Sequence, residues 1–243
     1  MPDLTALFLD VDDTLFSTSA FAAAARRNAM SAMIEHGVAM ELDDLLAELA
    51  EVVAEFGSNY TGHYDQLLKR IPQGAIPHGN RSVLVSAAMV AYHDTKFQEL
   101  LPFDDVLDGL ERLRRGTSLR VGVITAGLRV KQAEKIVRLG VLPWLDRDAI
   151  FISDEVGISK PNPKLYQTAC RAVGVDPSSA LYVGDHPIHD MAAAHTLGMI
   201  TVRLRSPQGK HADAPNVITP DHEITRFAEL LPIVATRLGL SAL

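Results

Sequence analysis

The chain has 243 residues, with 23 Lys and Arg against 30 Asp and Glu, a formal net charge of −7, and 47% apolar residues. That balance argues against nucleic acid or an anionic membrane as the main partner, since both reward clustered Lys and Arg, and no apolar stretch approaches the roughly 20 residues of a membrane span. A lone cysteine, Cys170, rules out an internal disulfide and, with no secretion signal at the N-terminus, fits a reducing cytoplasm.

Leu4 to Leu9 is a short apolar run with no helical period, which reads as a buried strand of a parallel sheet. It runs straight into Asp10, Asp12 and Asp13. Carboxylates are costly to bury without partners. They are therefore expected just beyond the strand's carboxyl end, where open α/β sheets place their ligands. In extended chain Asp10 and Asp12 share a side. Acids so crowded repel one another unless a cation lies between them, and Mg²⁺ suits such a place because it takes oxygen ligands and leaves room for a phosphate.

From Ser17 to Leu100 the pattern is helical. Phe21, Ala24, Ala25, Ala29, Met33 and Ile34 make one apolar stripe, closed by Gly37. Leu42 to Phe56 makes a second, closed by Gly57. Residues 58–63 read as a loop, Leu67 to Ile71 as a short helix, 73–80 as a loop, and Val83 to Leu100 as a further helix. The polar stretches 58–64 and 73–80 are the places in this block where a substrate could be touched, or where the chain simply turns in solvent.

At Pro102 the character changes to strands alternating with helices. Helices are expected over Asp104–Arg115, Leu128–Leu139, Asn162–Val173, Ile188–Leu197 and Ile224–Leu238. Strands are expected over Leu119–Thr125, Ala149–Ser153, Ala180–Val183 and Met199–Leu204, with a polar loop over Arg205–Asp221. This alternation calls for a doubly wound, Rossmann-like parallel sheet with right-handed crossovers. Residues 1–15 and 99–243 form the expected α/β core, and residues 16–98 an inserted helical domain. Cys170 falls within a helix and reads as core filling.

Asp10-Val11-Asp12-Asp13-Thr14 after an apolar strand resembles the DxDxT signature of the haloacid dehalogenase superfamily. Three further pieces follow in that family's order: Thr125 at the end of the second strand, Lys160 in Gly157-Ile158-Ser159-Lys160-Pro161, and Gly184-Asp185 with Asp190 five residues on. The resemblance is to the branch with a helical cap between the first two motifs. Relatives often carry Asn directly after the Thr; here it is Ala126, which removes one side-chain amide from the substrate site.

The resemblance implies a phosphatase acting on a small phosphorylated metabolite. Asp10 is then the nucleophile and Asp12 the general acid and base. Thr125, Ala126, Gly127 and Lys160 hold the phosphoryl oxygens. Mg²⁺ is held by the Asp10 carboxylate, the Asp12 main-chain carbonyl and Asp185, with Asp190 supporting the ion's water or the Lys. His186 and His189 have no Cys or further His near them in sequence to complete a zinc site, and read as surface or supporting residues. An acid at Asp12 disfavours dehalogenases and phosphonate hydrolases of this fold. Phosphomutases keep both acids and remain an alternative; a catalytically idle binding scaffold is the alternative of another kind. Nothing in the sequence sets an oligomeric state.

Overall fold

Ala6–Leu9 form β1, buried along its whole length at the centre of a six-stranded sheet. The computed structural model describes residues 3–77 and 79–243; His78, within the expected 73–80 loop, lies outside them. The chain divides into two compact units, Ala20–Leu100 and Met1–Ser19 with Leu101–Leu243.

The helical unit is built from α1 (Thr18–Glu35), α2 (Leu42–Phe56), α3 (His63–Arg70) and α4 (Arg81–Glu99). Met30, Met33, Leu45, Leu49, Leu67 and Leu84 fill its core. Asp43 and Asp44 complement the positive end of α2, and the Asn80 side chain caps α4 by accepting from the N–H groups of Ser82 (2.9 Å) and Val83 (3.3 Å). Within the expected 73–80 loop lies a single 3₁₀ turn, Gln73–Ala75.

The other unit runs α5 (Val106–Gly116), β2 (Arg120–Thr125), α6 (Arg129–Arg138), β3 (Ile150–Ile152), α7 (Ser153–Val156), α8 (Pro163–Val173) and β4 (Ala180–Gly184). A π-helical turn (Pro187–Ala192) then leads into α9 (Ala193–Thr196), β5 (Ile200–Leu204), β6 (His222–Ile224) and α10 (Leu230–Leu238). All pairings are parallel, in the order β3-β2-β1-β4-β5-β6. Successive residues of β1 point to opposite faces: Ala6 and Phe8 pack with Leu165, Tyr166 and Ala169 of α8, and both faces are buried. Strand order reverses at β1, the place where doubly wound sheets open a crevice beyond their strand ends.

Four expected elements are corrected. Ile224 belongs to a strand rather than to the last helix, which begins at Leu230; a three-residue edge strand is too short to leave a period in the sequence. Ser153 leaves the third strand and starts the one-turn α7. The helix expected over Ile188–Leu197 begins as a π turn at Pro187, with Met191 N–H donating to His186 O at 3.2 Å. The helix expected over Asp104–Arg115 runs from Val106 to Gly116.

Candidate active site

Asp10 extends the ladder one residue past β1, its N–H donating to Val183 O at 2.9 Å. The chain then turns tightly. Leu15 N–H returns to Val11 O (3.0 Å), Asp13 takes a left-handed φ of 55°, and Asp13 Oδ1 accepts from Thr18 N–H at 3.1 Å. This turn sends the Asp12 carboxylate away from Asp10. Lys135 Nζ lies 2.6 Å from Asp12 Oδ1 and 2.8 Å from Oδ2, and Gln132 Nε2 donates to Oδ2 at 2.9 Å. The expectation that the Asp12 carboxylate crowds beside that of Asp10, with a cation between them, is therefore corrected. The converging acid oxygens, within 4.8 Å of one another, are those of Asp10, Asp185 and Asp190.

Against two of that trio, Asp10 and Asp190, stands Lys160, 9% exposed. Its ammonium donates to Asp190 Oδ1 and to the Tyr182 hydroxyl, both at 2.7 Å, and makes an ion-pair contact of 2.8 Å with Asp10 Oδ1. Burial alone would lower the Lys160 pKa, but the carboxylates of Asp10 and Asp190 outweigh it and keep the amine charged. Burial pushes against ionisation of Asp190 too; Lys160 and the His186 N–H, which donates to Asp190 Oδ2 at 3.0 Å, hold it below the ordinary range. Gly184 is required beside it, since a Cβ there would fall 2.5 Å from Asp190 Oδ2.

Asp10 and Asp185 are left short of positive charge. Burial, with Lys160 opposing and Asp190 and Asp12 adding, pushes Asp10 up to about 7. Burial, then Asp190, Asp10 and Asp13, push Asp185 up to about 9. Asp185 Oδ2 is buried and accepts no hydrogen bond, and Asp10 Oδ1 has only the unaligned ammonium contact. Asp190 has both oxygens occupied, whereas Asp10 and Asp185 each keep one to offer. Buried oxygen donors with no proton source of their own are the donor set a hard divalent cation takes, and such a cation would reverse both shifts.

β2 brings Thr125, fully buried, to the same end of the sheet. Its hydroxyl faces Gln132 Oε1 at 3.4 Å. The Gly127 N–H donates to Ser153 Oγ at 3.0 Å, so the turn is braced from the first residue of α7 rather than left open. Ala126 contributes its carbonyl, which accepts from Gln132 Nε2 at 3.0 Å.

A model of the haloacid dehalogenase-like hydrolases matches residues 4–198. The chain belongs to this family. It is 46% identical to the glyceraldehyde 3-phosphate phosphatase of Methanopyrus kandleri over 95% of this chain and 97% of that protein. To the glyceraldehyde 3-phosphate phosphatase of Pyrococcus abyssi it is 36% identical, over 96% and 94%. Likeness at this level over the full length makes it a hydrolase of phosphoric monoesters within the haloacid dehalogenase family. The HAD-hydrolase YfnB from Bacillus subtilis, solved bound to magnesium, shares the fold with a TM-score of 0.67, at 20% identity over 96% of this chain and 99% of that one.

Four residues of this haloacid dehalogenase-type site, Gln132, Lys135, Arg203 and His211, were not foreseen. Gln132 and Lys135 lie three apart on α6, hence on one helix face, and that spacing just after Gly127 was the available signal. Arg203 is fully buried in β5; its Nε donates to Asp185 O at 3.2 Å, its Nη2 to His211 O (2.9 Å) and Ala214 O (2.8 Å), and its Nη1 to Asn216 Oδ1. An arginine inside an apolar strand needs such acceptors. His186, expected at the surface or in support, caps the π turn through Nδ1 and stacks on His189 with ring centroids 4.0 Å apart; His211 joins from the following loop at 4.4 Å. Burial and the two neighbouring rings push His186 down to about 4.

Proposed function

We propose that the chain is a Mg²⁺-dependent phosphatase of small phosphorylated metabolites whose substrate is glyceraldehyde 3-phosphate, by its likeness to the relatives of that name. The observation that carries the reading is the division of labour at the end of β1. Asp10 is buried against Lys160, while Asp12, two residues on, is at the rim with 30% of its side chain exposed. That division suits one acid to attack and the other to exchange protons with a leaving group or with water.

Asp10 attacks phosphorus and forms an aspartyl-phosphate as the P–O bond to the substrate's carbon-bound oxygen breaks. Asp12 gives that oxygen a proton, so that a neutral alcohol leaves. In the second half, Asp12 takes a proton from water as the water oxygen attacks phosphorus, freeing inorganic phosphate and restoring the Asp10 carboxylate. Lys160 neutralises charge on Asp10 and on the phosphoryl oxygens, and the Thr125 hydroxyl orients one of those oxygens. Asp10, Asp185 and the Asp12 main-chain carbonyl would hold Mg²⁺, which when bound supplies charge neutralisation at the phosphoryl group. The helical unit takes the part of the substrate-choosing cap, and a reducing cytoplasm suits the buried thiol of Cys170.

The test is phosphate release from a panel containing glyceraldehyde 3-phosphate, its positional relatives and larger sugar phosphates. Preference for the triose phosphate supports the substrate. Conversion to an isomeric phosphate without release of inorganic phosphate would make the enzyme a mutase, and no conversion of any member would return it to a binding role.

A further inference from the structure

The phosphatase reading gives Asp12 a proton-transfer task but does not say what aims it. Asp12 sits on a turn, in a chain that has just left its strand, and a carboxylate there would sample several rotamers. The contacts around it remove that freedom. Lys135 bridges both oxygens at 2.6 and 2.8 Å, Gln132 Nε2 binds Oδ2 at 2.9 Å, and the Thr18 hydroxyl reaches Oδ1 at 3.3 Å.

Gln132 does more than bind one oxygen. It is 4% exposed, and its two amide hydrogens go to different acceptors, Asp12 Oδ2 and Ala126 O. Its oxygen receives the Thr125 hydroxyl at 3.4 Å. The reverse amide orientation would set an oxygen against two acceptors, so this one is fixed by its surroundings. A single side chain thus ties the proton-transfer acid to the strand end and turn that receive the phosphoryl group. The Lys135 ammonium, with its side chain 18% exposed, also lies 5.8 Å from the centre of the Phe16 ring, and Phe16 bridges back to Asp12 through the main chain.

We propose that Gln132 and Lys135 are positioning residues for Asp12, holding its carboxyl in register with the leaving oxygen of a phosphoryl group bound between Asp10 and Thr125. The inference rests on the phosphatase reading. Its signature is dependence on the leaving group. An alkoxide needs its proton as it departs, whereas p-nitrophenolate hardly does, so misaiming Asp12 hurts alkyl esters far more than aryl ones.

The experiment measures kcat/KM, which reports the steps up to loss of the alcohol, for glycerol 3-phosphate and p-nitrophenyl phosphate. The proteins are the parent, Lys135→Met, Lys135→Arg and Gln132→Met, with each methionine variant repeated in an Asp12→Asn background. The methionine variants are expected to lose about tenfold or more beyond their aryl loss on the alkyl ester. Lys135→Arg should recover most of that loss. In the Asp12→Asn background the same changes should cost less than about threefold, because residues acting through one group are not additive. Equal losses on both esters, or losses that multiply in full without the Asp12 acid, would overturn the proposal while leaving the phosphatase reading intact. A parent inactive on both esters and on glyceraldehyde 3-phosphate would remove the reading and the proposal together. Gln132 is buried, so its variant counts only if it melts as the parent does; Lys135, at the rim, carries the test in either case.

Discussion

Lys160 and Asp190 face each other at 2.7 Å with side chains only 3% and 1% exposed. A pair so dry is more than a local contact. Asp190 fixes the ammonium from behind, through the π turn, and the same ammonium reaches forward to Asp10.

Removing one side of such a pair leaves the other uncompensated. Lys160→Met is expected to lower stability by about 3–5 kcal/mol and turnover by about 10²–10³-fold. The loss of stability should grow with pH, because the carboxyls left behind can escape the penalty only by taking a proton. Thermal melting at two pH values beside turnover checks both parts. A variant that melts with the parent and keeps half its turnover would contradict the role given to Lys160.

The raised carboxyls predict how Mg²⁺ and protons are linked. Asp10 at about 7 and Asp185 at about 9 stand above the value of 3.8 they start from. At these two carboxyls the metal-free folded state therefore binds more protons than the unfolded chain between these limits, and their contribution to stability is full below about 4 and is lost as pH rises through 7 and towards 9. Mg²⁺ held by these carboxyls would displace those protons. Its stabilising effect should therefore widen from pH 6 to pH 8.5, and calorimetric titration near pH 7 in buffers of different ionisation enthalpy should show proton release. Binding without proton exchange would show that these two carboxyls are not the ligands.

Arg203 makes a structural prediction distinct from the chemistry. Arg203→Leu leaves the carbonyls of Asp185, His211 and Ala214 without their donor, each worth about 1–3 kcal/mol if it stays dry. Lower melting temperature and easier proteolytic cleavage within residues 205–221 are expected, together with weaker Mg²⁺ binding as the Asp185 main chain loosens. Unaltered melting would mean that water replaces the guanidinium at no cost.

The strands that carry the site were legible because each is an apolar run ending in a residue of a different kind: Asp10 after Leu9, Thr125 after Ile124, Asp185 after Gly184. The helical insert was legible because α2 keeps its apolar period from Leu42 until Gly57. What stayed hidden has at most a weak local signature. β6 has three residues, too few for alternation. The Asp12 clamp joins positions 123 residues apart, Asp12 and Lys135, and Arg203 meets its acceptors across a loop of polar residues. His211 reaches the His186–His189 stack only because β5 and its following loop return beside β4. The Asp12 carboxylate was expected beside Asp10 because extended chain puts both on one side; the left-handed turn at Asp13 is what separates them.

The central claim is that Asp10 carries the phosphoryl group, and the most direct measurement of it is the products formed from glyceraldehyde 3-phosphate and Mg²⁺ by the parent and by Asp10→Asn side by side. The account predicts glyceraldehyde and inorganic phosphate in equal amounts from the parent, and from Asp10→Asn a rate lower by about 10³-fold or more, since a group that forms the covalent intermediate has no substitute in the site. Phosphate release by Asp10→Asn at the parent's rate would contradict it.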